Sequence, residues 1–249
     1  NANWRITPAR LGTDFLTKDQ LVIVDDILKG ITSEEGYEKL QRQMTADGGG
    51  LKGYSFALFG EPGTDKFEFE LTGRHLTLRA DGNSVPGAAF GGPIVYGHGV
   101  GDPAKNLFFN QTQQVNKVYQ ALDPAQAKRA LVEFSPEEEA VALQGKDGKF
   151  PGISVADLSD DQKELVEQTL KSLLAVYRKE DVDEALAVLK QGGGLGTLHM
   201  AYFQDGDVGG DKTWDVWRIE GPSFVWHFRG DPHVHAYINI GLKDQQAAG

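Results

Sequence analysis

Three of the chain's six histidines fall inside one stretch of seventeen residues, FVWHFRGDPHVHAYINI, from Phe224 to Ile240. His233 and His235 stand two apart in a run rich in β-branched and aromatic residues, so on a strand they share a face. Three neutral imidazoles on one face are a common ligand set for Zn, Cu or Fe. An ion held that way polarises an oxygen, lowers the pKa of a bound water or carries redox chemistry. Whether His227 joins the pair depends on the register of the hairpin. If Phe228 pairs with His233, His227 points to the other side. If the loop is one residue longer, His227 pairs with His233 and all three rings converge. Pro232 has no N–H to give to a ladder and favours the longer loop. The competing account is a histidine-rich hairpin whose rings bond to backbone or to Asp231.

A fourth imidazole comes from FEFELTGRHLTLRA. Gly73 and Arg74 read as a two-residue turn between alternating strands. That sets Thr72 opposite His75, Glu70 opposite Thr77 and Glu68 opposite Arg79. Phe67, Phe69, Leu71, Leu76 and Leu78 then share one face, and His75 shares the polar face with Glu70. His75 is a candidate fourth ligand, and Glu70 a candidate carboxylate to orient its ring; a solvated polar face is the plain alternative. His98 in YGHGV and His199 in TLHMAYF read as ordinary histidines. With no cysteine in the chain, thiolate sites, disulfides and a Cys nucleophile are excluded. No Ser nucleophile elbow, phosphate loop or dinucleotide fingerprint is present. GGGLG follows a helical pattern and reads as a helix stop. Trp214, Trp217 and Trp226 alternate in strand-like segments and read as core, with a carbohydrate-stacking platform as the alternative.

The elements that must position these residues are legible in outline. TKDQLVIVDDILKG opens on Thr17 with Gln20 three residues on, a capping box, and Gly30 is placed to stop the helix. DPAQAKRALVEF carries Asp123 as cap and Pro124 at the first helical position. SDDQKELVEQTLKSLLAVYRK starts at Ser159 with Gln162, and Leu165, Val166, Leu170, Leu173, Leu174 and Tyr177 form its apolar face. DVDEALAVLKQ and NQTQQVNKVYQAL also read as helices. Strands fall in two groups, Tyr54 to Ala80 and Thr197 to Ile240, with helices between. Strands, helices and strands again predict an α+β fold. Its antiparallel sheet is built from the N-terminal and C-terminal groups and packed with a central helical segment. Asp81 to Asn106, rich in Gly and Pro, reads as a long loop, and EEEAVALQGKDGKFPG as a surface excursion.

The chain has 249 residues, 40% of them hydrophobic, enough for one globular domain over 1–249 with a real core. A net charge of −11, with no Lys/Arg run, argues against nucleic acid and against an anionic membrane surface. No apolar run approaches the ~20 residues that span a bilayer, so a soluble protein is expected. NANWRITPARLG lacks the charged and apolar regions of a signal peptide. The signal-cleaved form of an exported protein, periplasmic or secreted, would look the same.

Several motifs together resemble a bacterial family of unknown function, the domain of unknown function numbered thirty-five hundred. FALFGEPG with FEFELTGRHLTL is similar to that family's segment ending Gly-His-His-Leu. LSDDQKELVEQTL is similar to its helix with a Gln after the cap. YFQDG and WRIEGPSFVWHFRGDPHVHAYINI are similar to its C-terminal Arg-Ile-x-Gly-Pro, strand and His-x-His. The resemblance runs from about Phe56. It matches His75 to the second His of Gly-His-His, with Arg74 where the first would stand, and His233 and His235 to the His-x-His pair. His227 stands where the family has Glu, an exchange of one ligand type for another. Asn239 and Ile240 stand where the family continues into Arg-Asp, so a role carried by that pair would be lost or changed here. The family supplies no activity to transfer.

Taken together, His227, His233, His235 and His75 are expected to bind a divalent transition metal, Zn or Cu, with Glu70 behind them. The enzyme this implies is a metal-dependent hydrolase or oxidoreductase acting on a small-molecule or carbohydrate ligand. The rival is a non-catalytic ligand-binding or metal-carrier protein with structural histidines.

Overall fold

The computed structural model describes residues 2–82 and 84–243. Its organising element is a single ten-stranded, mostly antiparallel sheet. The strands are β1 (Ser55–Gly60), β2 (Phe67–Gly73), β3 (Leu76–Asp81), β4 (Ile94–His98), β5 (Leu131–Val132), β6 (Ile153–Ser154), β7 (His199–Phe203), β8 (Val216–Gly221), β9 (Phe224–Arg229) and β10 (Val234–Ile240). Their order is β1-β2-β3-β4-β10-β9-β8-β7-β5, with β6 pairing β7. The two strand groups do join in one sheet, as an α+β reading requires. The joint is β4, which lies within the Gly/Pro-rich region expected to be loop. Five alternating residues, Ile-Val-Tyr-Gly-His, are enough to pair both with β3 and with β10.

One face of the sheet is apolar from end to end. Leu76, Tyr96, Ala236, Phe228, Trp217 and Tyr202 stand opposite one another in consecutive strands, all buried. The helices pack here: α1 (Lys18–Ile31), α2 (Glu34–Gly48), α3 (Phe109–Gln120), α5 (Asp160–Leu174) and α6 (Lys179–Gln191) contribute Leu28, Met44, Val118, Leu170 and Leu189 to the same core. Three starts follow the capping logic. Thr17 with Gln20, Asp123 with Gln126 before α4 (Pro124–Ala130), and Ser159 with Gln162 all form the reciprocal box. Trp217 and Trp226 are wholly buried, and Trp226 Nε1 donates to Tyr96 Oη at 3.0 Å. They build the core, so they offer no face to a sugar.

Two helical expectations shift, and one helix was not expected. The last turn of α5 ends at Leu174 and not at Lys179, because Tyr177 leaves the helix to bridge Thr32. The α4 helix ends at Ala130, and Leu131–Val132 turns into a short strand parallel to β7. The unexpected helix is α2, whose apolar stripe is thin, resting on Tyr37, Leu40 and Met44.

The second face is polar near its centre and is covered by chain, not helix. Ala2–Ile6 crosses β2 and β3: Trp4 Nε1 donates to Thr77 Oγ1 at 2.8 Å and the Ile6 N–H to Thr72 Oγ1 at 2.8 Å. The stretch 137–144, expected to be a surface excursion, crosses β8 to β10. Its carbonyls at Ala140 and Val141 accept from Arg218 and Asn239, and Gln144 donates to Glu220. Buried polar groups need partners, and this segment supplies some of them from two backbone carbonyls and the Gln144 side chain, which leaves no apolar period to read. Among the described residues no helix is long and apolar enough to cross a membrane.

Asp215, ahead of β8, is buried, and burial, reinforced by Asp211, Asp207 and Asp231, pushes its carboxyl up to about 6. A folded-state pKa above the unfolded one gives stability that is complete below about pH 4 and lost as the pH rises toward 6. The prediction is that Asp215→Asn removes this loss. Thermal melts from pH 4 to 7 should show the gap between variant and wild type opening in the variant's favour by a few degrees, not staying constant.

Candidate metal centre

His75 lies at the tip of the β2–β3 hairpin. The observed pairs are Gly73 with Leu76 and Thr72 with Thr77, so the turn residues are Arg74 and His75. The expected turn was one residue early, although the apolar and polar faces of the two strands are as anticipated. His75 takes a φ of 57°, a left-handed position that costs a non-glycine residue about 1 kcal/mol or more. Several contacts hold it there. The His75 N–H donates to the Ala2 carbonyl at 2.6 Å. The Arg74 carbonyl accepts from Tyr54 Oη at 3.0 Å and from Gln43 Nε2 at 3.2 Å.

The ring is fixed by Asp47, from the last turn of α2. His75 Nδ1 lies 2.9 Å from Asp47 Oδ2, and both side chains are 5% exposed. Asp47 also accepts from Gln43 Nε2 at 3.1 Å and from the Gly99 N–H at 3.0 Å. Burial raises the Asp47 carboxyl, but the bonds from His75, Gln43 and Gly99 outweigh it and hold the group below its usual range. A carboxylate at a helix C-terminus meets an unfavourable dipole, so these donors are what retain it. Being ionised, Asp47 only accepts. His75 therefore carries a proton on Nδ1, which leaves Nε2 as the nitrogen it can offer to an ion.

His235 repeats the arrangement. It stands on β10 opposite Arg229 on one side and Gly97 on the other. Its Nδ1 is 2.8 Å from Glu138 Oε2, which also accepts from Tyr237 Oη at 3.2 Å. Glu138 Oε1 pairs with Arg229 Nη1 at 2.5 Å. Burial raises the Glu138 carboxyl, and His235, Arg229 and Tyr237 together bring it down to about 2. The third ring, His233, is pushed down to about 4 by burial and by His235, His75, Arg229 and Arg74, and is neutral near pH 7.

These three rings meet. Their centroids are 5.0 Å apart for His75–His233, 5.0 Å for His75–His235 and 4.7 Å for His233–His235. The Nε2 atoms of His233 and His235 lie 3.0 Å apart, and one nitrogen from each of the three falls within 4.8 Å of the others. Two nitrogens bound to one tetrahedral Zn would sit about 3.3 Å apart. Glycine makes the room. A Cβ on Gly97 would stand 2.3 Å from the Val234 carbonyl oxygen and 3.2 Å from His75 Cβ, and one on Gly99 would stand 2.8 Å from Asp47 Oδ1. His75 is buried, while His233 and His235 are partly exposed.

His227 is not brought into this group. The register pairs it with Tyr237, one row further along β10 than the Arg229–His235 pair. It shares the face of His235 but is displaced along it, since the turn is centred on Pro232, later in the chain than either expected register sets it. Its ring is 1% exposed, accepts at Nδ1 from Arg218 Nε at 3.3 Å, and burial with Arg218 lowers it to about 3. Glu70 does not reach His75 either. It pairs with Arg79 Nη2 at 2.9 Å, because Arg79 is its cross-strand neighbour. Asp47 and Glu138 take the orienting role assigned to Glu70. Neither has a local sequence signal, since they lie 28 and 97 residues from the rings they hold. His98 is buried and accepts the Leu107 N–H at Nδ1, and His199 packs on Phe150.

A family model described as "Protein of unknown function (DUF3500)" matches residues 2–239. No curated protein and no solved structure matches the chain.

Removing Glu138 would strand three donors at once. Glu138→Ala is expected to lower stability by roughly 2–3 kcal/mol in urea unfolding. It should also release the His235 ring from its Nδ1–H tautomer, read from the imidazole nitrogen shifts. A variant as stable as wild type with unchanged tautomer would contradict the assigned contacts.

Proposed function

The chain belongs to the DUF3500 family of proteins of unknown function, and from its site we propose that it is a metal protein in which His75, His233 and His235 bind one divalent transition ion. The observation that carries this is the pairing of carboxylates with rings. Asp47 and Glu138 each hold an imidazole through Nδ1, which leaves Nε2 as the basic nitrogen of the neutral ring. Outer carboxylates of this kind fix the tautomer and raise the donor strength of histidine ligands. The contact between His233 and His235 at 3.0 Å satisfies at most one of the two Nε2 atoms so left, and a hairpin that merely needs satisfied histidines does not ask for three rings around the same small volume.

Three imidazoles without thiolate suit Zn or Cu. Three protein ligands would leave a further position for water or substrate, and the partial exposure of His233 and His235 supports a site open to solvent. Bound Zn would activate a water for hydrolysis, and bound Cu would support oxidation; metal identity chooses between them. The residues themselves orient the ligands, exclude water behind His75, and hold protons at the two Nδ1 atoms. The reading is therefore a metal-dependent hydrolase or oxidoreductase of a small molecule. A carrier or ligand-binding role is the second reading. Its support is that the donors on Asp47 and Glu138 already occupy both carboxylates, so neither is free as a general base.

Tag-free protein is expected to carry about one Zn or Cu per chain by elemental analysis. The double variant His233→Ala, His235→Ala should lose it, and His227→Gln should keep it. Asp47→Asn should weaken metal binding about tenfold or more in chelator competition. A folded wild-type protein that takes up neither ion would refute the reading.

A further inference from the structure

The proposed metal site is flanked by arginines, in a chain whose net charge is −11. Arg74 precedes His75 in the hairpin turn and is exposed. A Cβ placed on Gly99 would stand 3.4 Å from Arg74 Nη2 and 3.5 Å from His75 Cε1, so the guanidinium and the edge of the ring border the same small space above Gly99. No carboxylate among the described residues pairs with Arg74. The nearest candidate, Asp47, is taken up by His75, Gln43 and Gly99. On the other side, Arg229 gives Nη1 to Glu138, while its Nε and Nη2 are buried without a protein partner. Both arginines act on His233. Glu138 compensates Arg229 and Asp47 is spent on His75, Gln43 and Gly99, so Arg74 and a divalent ion would both stand as uncompensated positive charge.

We propose that the substrate or ligand of this site carries an oxyanion, a carboxylate or phosphoryl group, with one oxygen on the metal and another on the Arg74 guanidinium. This rests on the metal-site reading and adds to it the chemical class of what binds. A guanidinium presents a planar fork that matches two oxygens of such a group, which an ammonium or a neutral side chain does not. An arginine left unpaired beside a cation is repelled by it, and an anion between them converts that repulsion into two attractions. A neutral sugar would leave both charges uncompensated.

The test uses tag-free protein loaded with Co²⁺ as a spectroscopic stand-in. Acetate and inorganic phosphate are titrated separately, with acetamide as the neutral control, following the visible Co²⁺ bands. Wild type should respond to acetate or phosphate and not to acetamide, and the arm with the lower midpoint identifies the group. Arg74→Gln should load Co²⁺ with the same stoichiometry and keep its thermal melt, but need about tenfold more anion or greater for the same change. Arg74→Lys should fall between. Loaded Arg74→Gln that titrates like wild type overturns the inference and leaves the metal site standing. Wild type that never loads Co²⁺ overturns both. A Arg74→Gln variant that loses Co²⁺ overturns the assignment of Arg74 to the anion and makes it a support of the ligands.

Discussion

Holding an imidazole at the tip of a hairpin opposes the backbone and the side chain together. The backbone of His75 stands in a region that L-residues avoid, and its ring is nearly closed off from water. The Asp47 carboxylate meets the second demand, and the hydrogen bonds from the turn to Ala2, Tyr54 and Gln43 meet the first. These partners come from three parts of the chain: the N-terminal segment, α2, which supplies both Asp47 and Gln43, and the residue just ahead of β1. Strained backbone persists only where the surroundings over-determine it, and here they do so around a single ring. The convergence of the three histidines follows from that one fixed point.

The sheet brings the other two rings to it. Without β4, the hairpin bearing His75 and the hairpin bearing His233 and His235 would have no common frame. β4 pairs with both, and Gly97 stands opposite His235 where any side chain would occupy the space His75 uses. The glycines of YGHG therefore shape the site by what they omit. The core face carries no comparable compromise. Its cross-strand row of aromatic and aliphatic residues anchors the strands, so that small errors of position at the site are resisted by a packed interior.

The second face of the sheet explains how a chain can keep so many charged groups out of water. His227, Arg218 and Glu220 are all buried there. Arg218 is held by His227 and the Ala140 carbonyl, and Glu220 by Gln144. The segment that covers them also delivers Glu138 to His235. One stretch of irregular chain thus satisfies a buried polar layer and completes the surroundings of the site. That is why it lies across the sheet and not in solvent.

What the sequence alone determined is the part governed by local rules. The capping boxes at Thr17, Asp123 and Ser159, the apolar alternation of β2 and β3, the shared face of His233 and His235, and the α+β class are all set by neighbours within a few residues. Membership of His75 in the group was also within reach, through its place in the hairpin. The tertiary structure decided the rest. Register placed Glu70 against Arg79 and moved His227 one row away, because a turn centred one or two residues later slides every pair on the strand. Long-range packing chose Asp47 and Glu138 as the carboxylates, since hydrogen bonds between residues far apart in sequence leave no periodicity behind. The short strand β4, the thin-striped α2 and the covering segment stayed hidden for the same reason: each is stabilised by what it packs against and not by its own pattern.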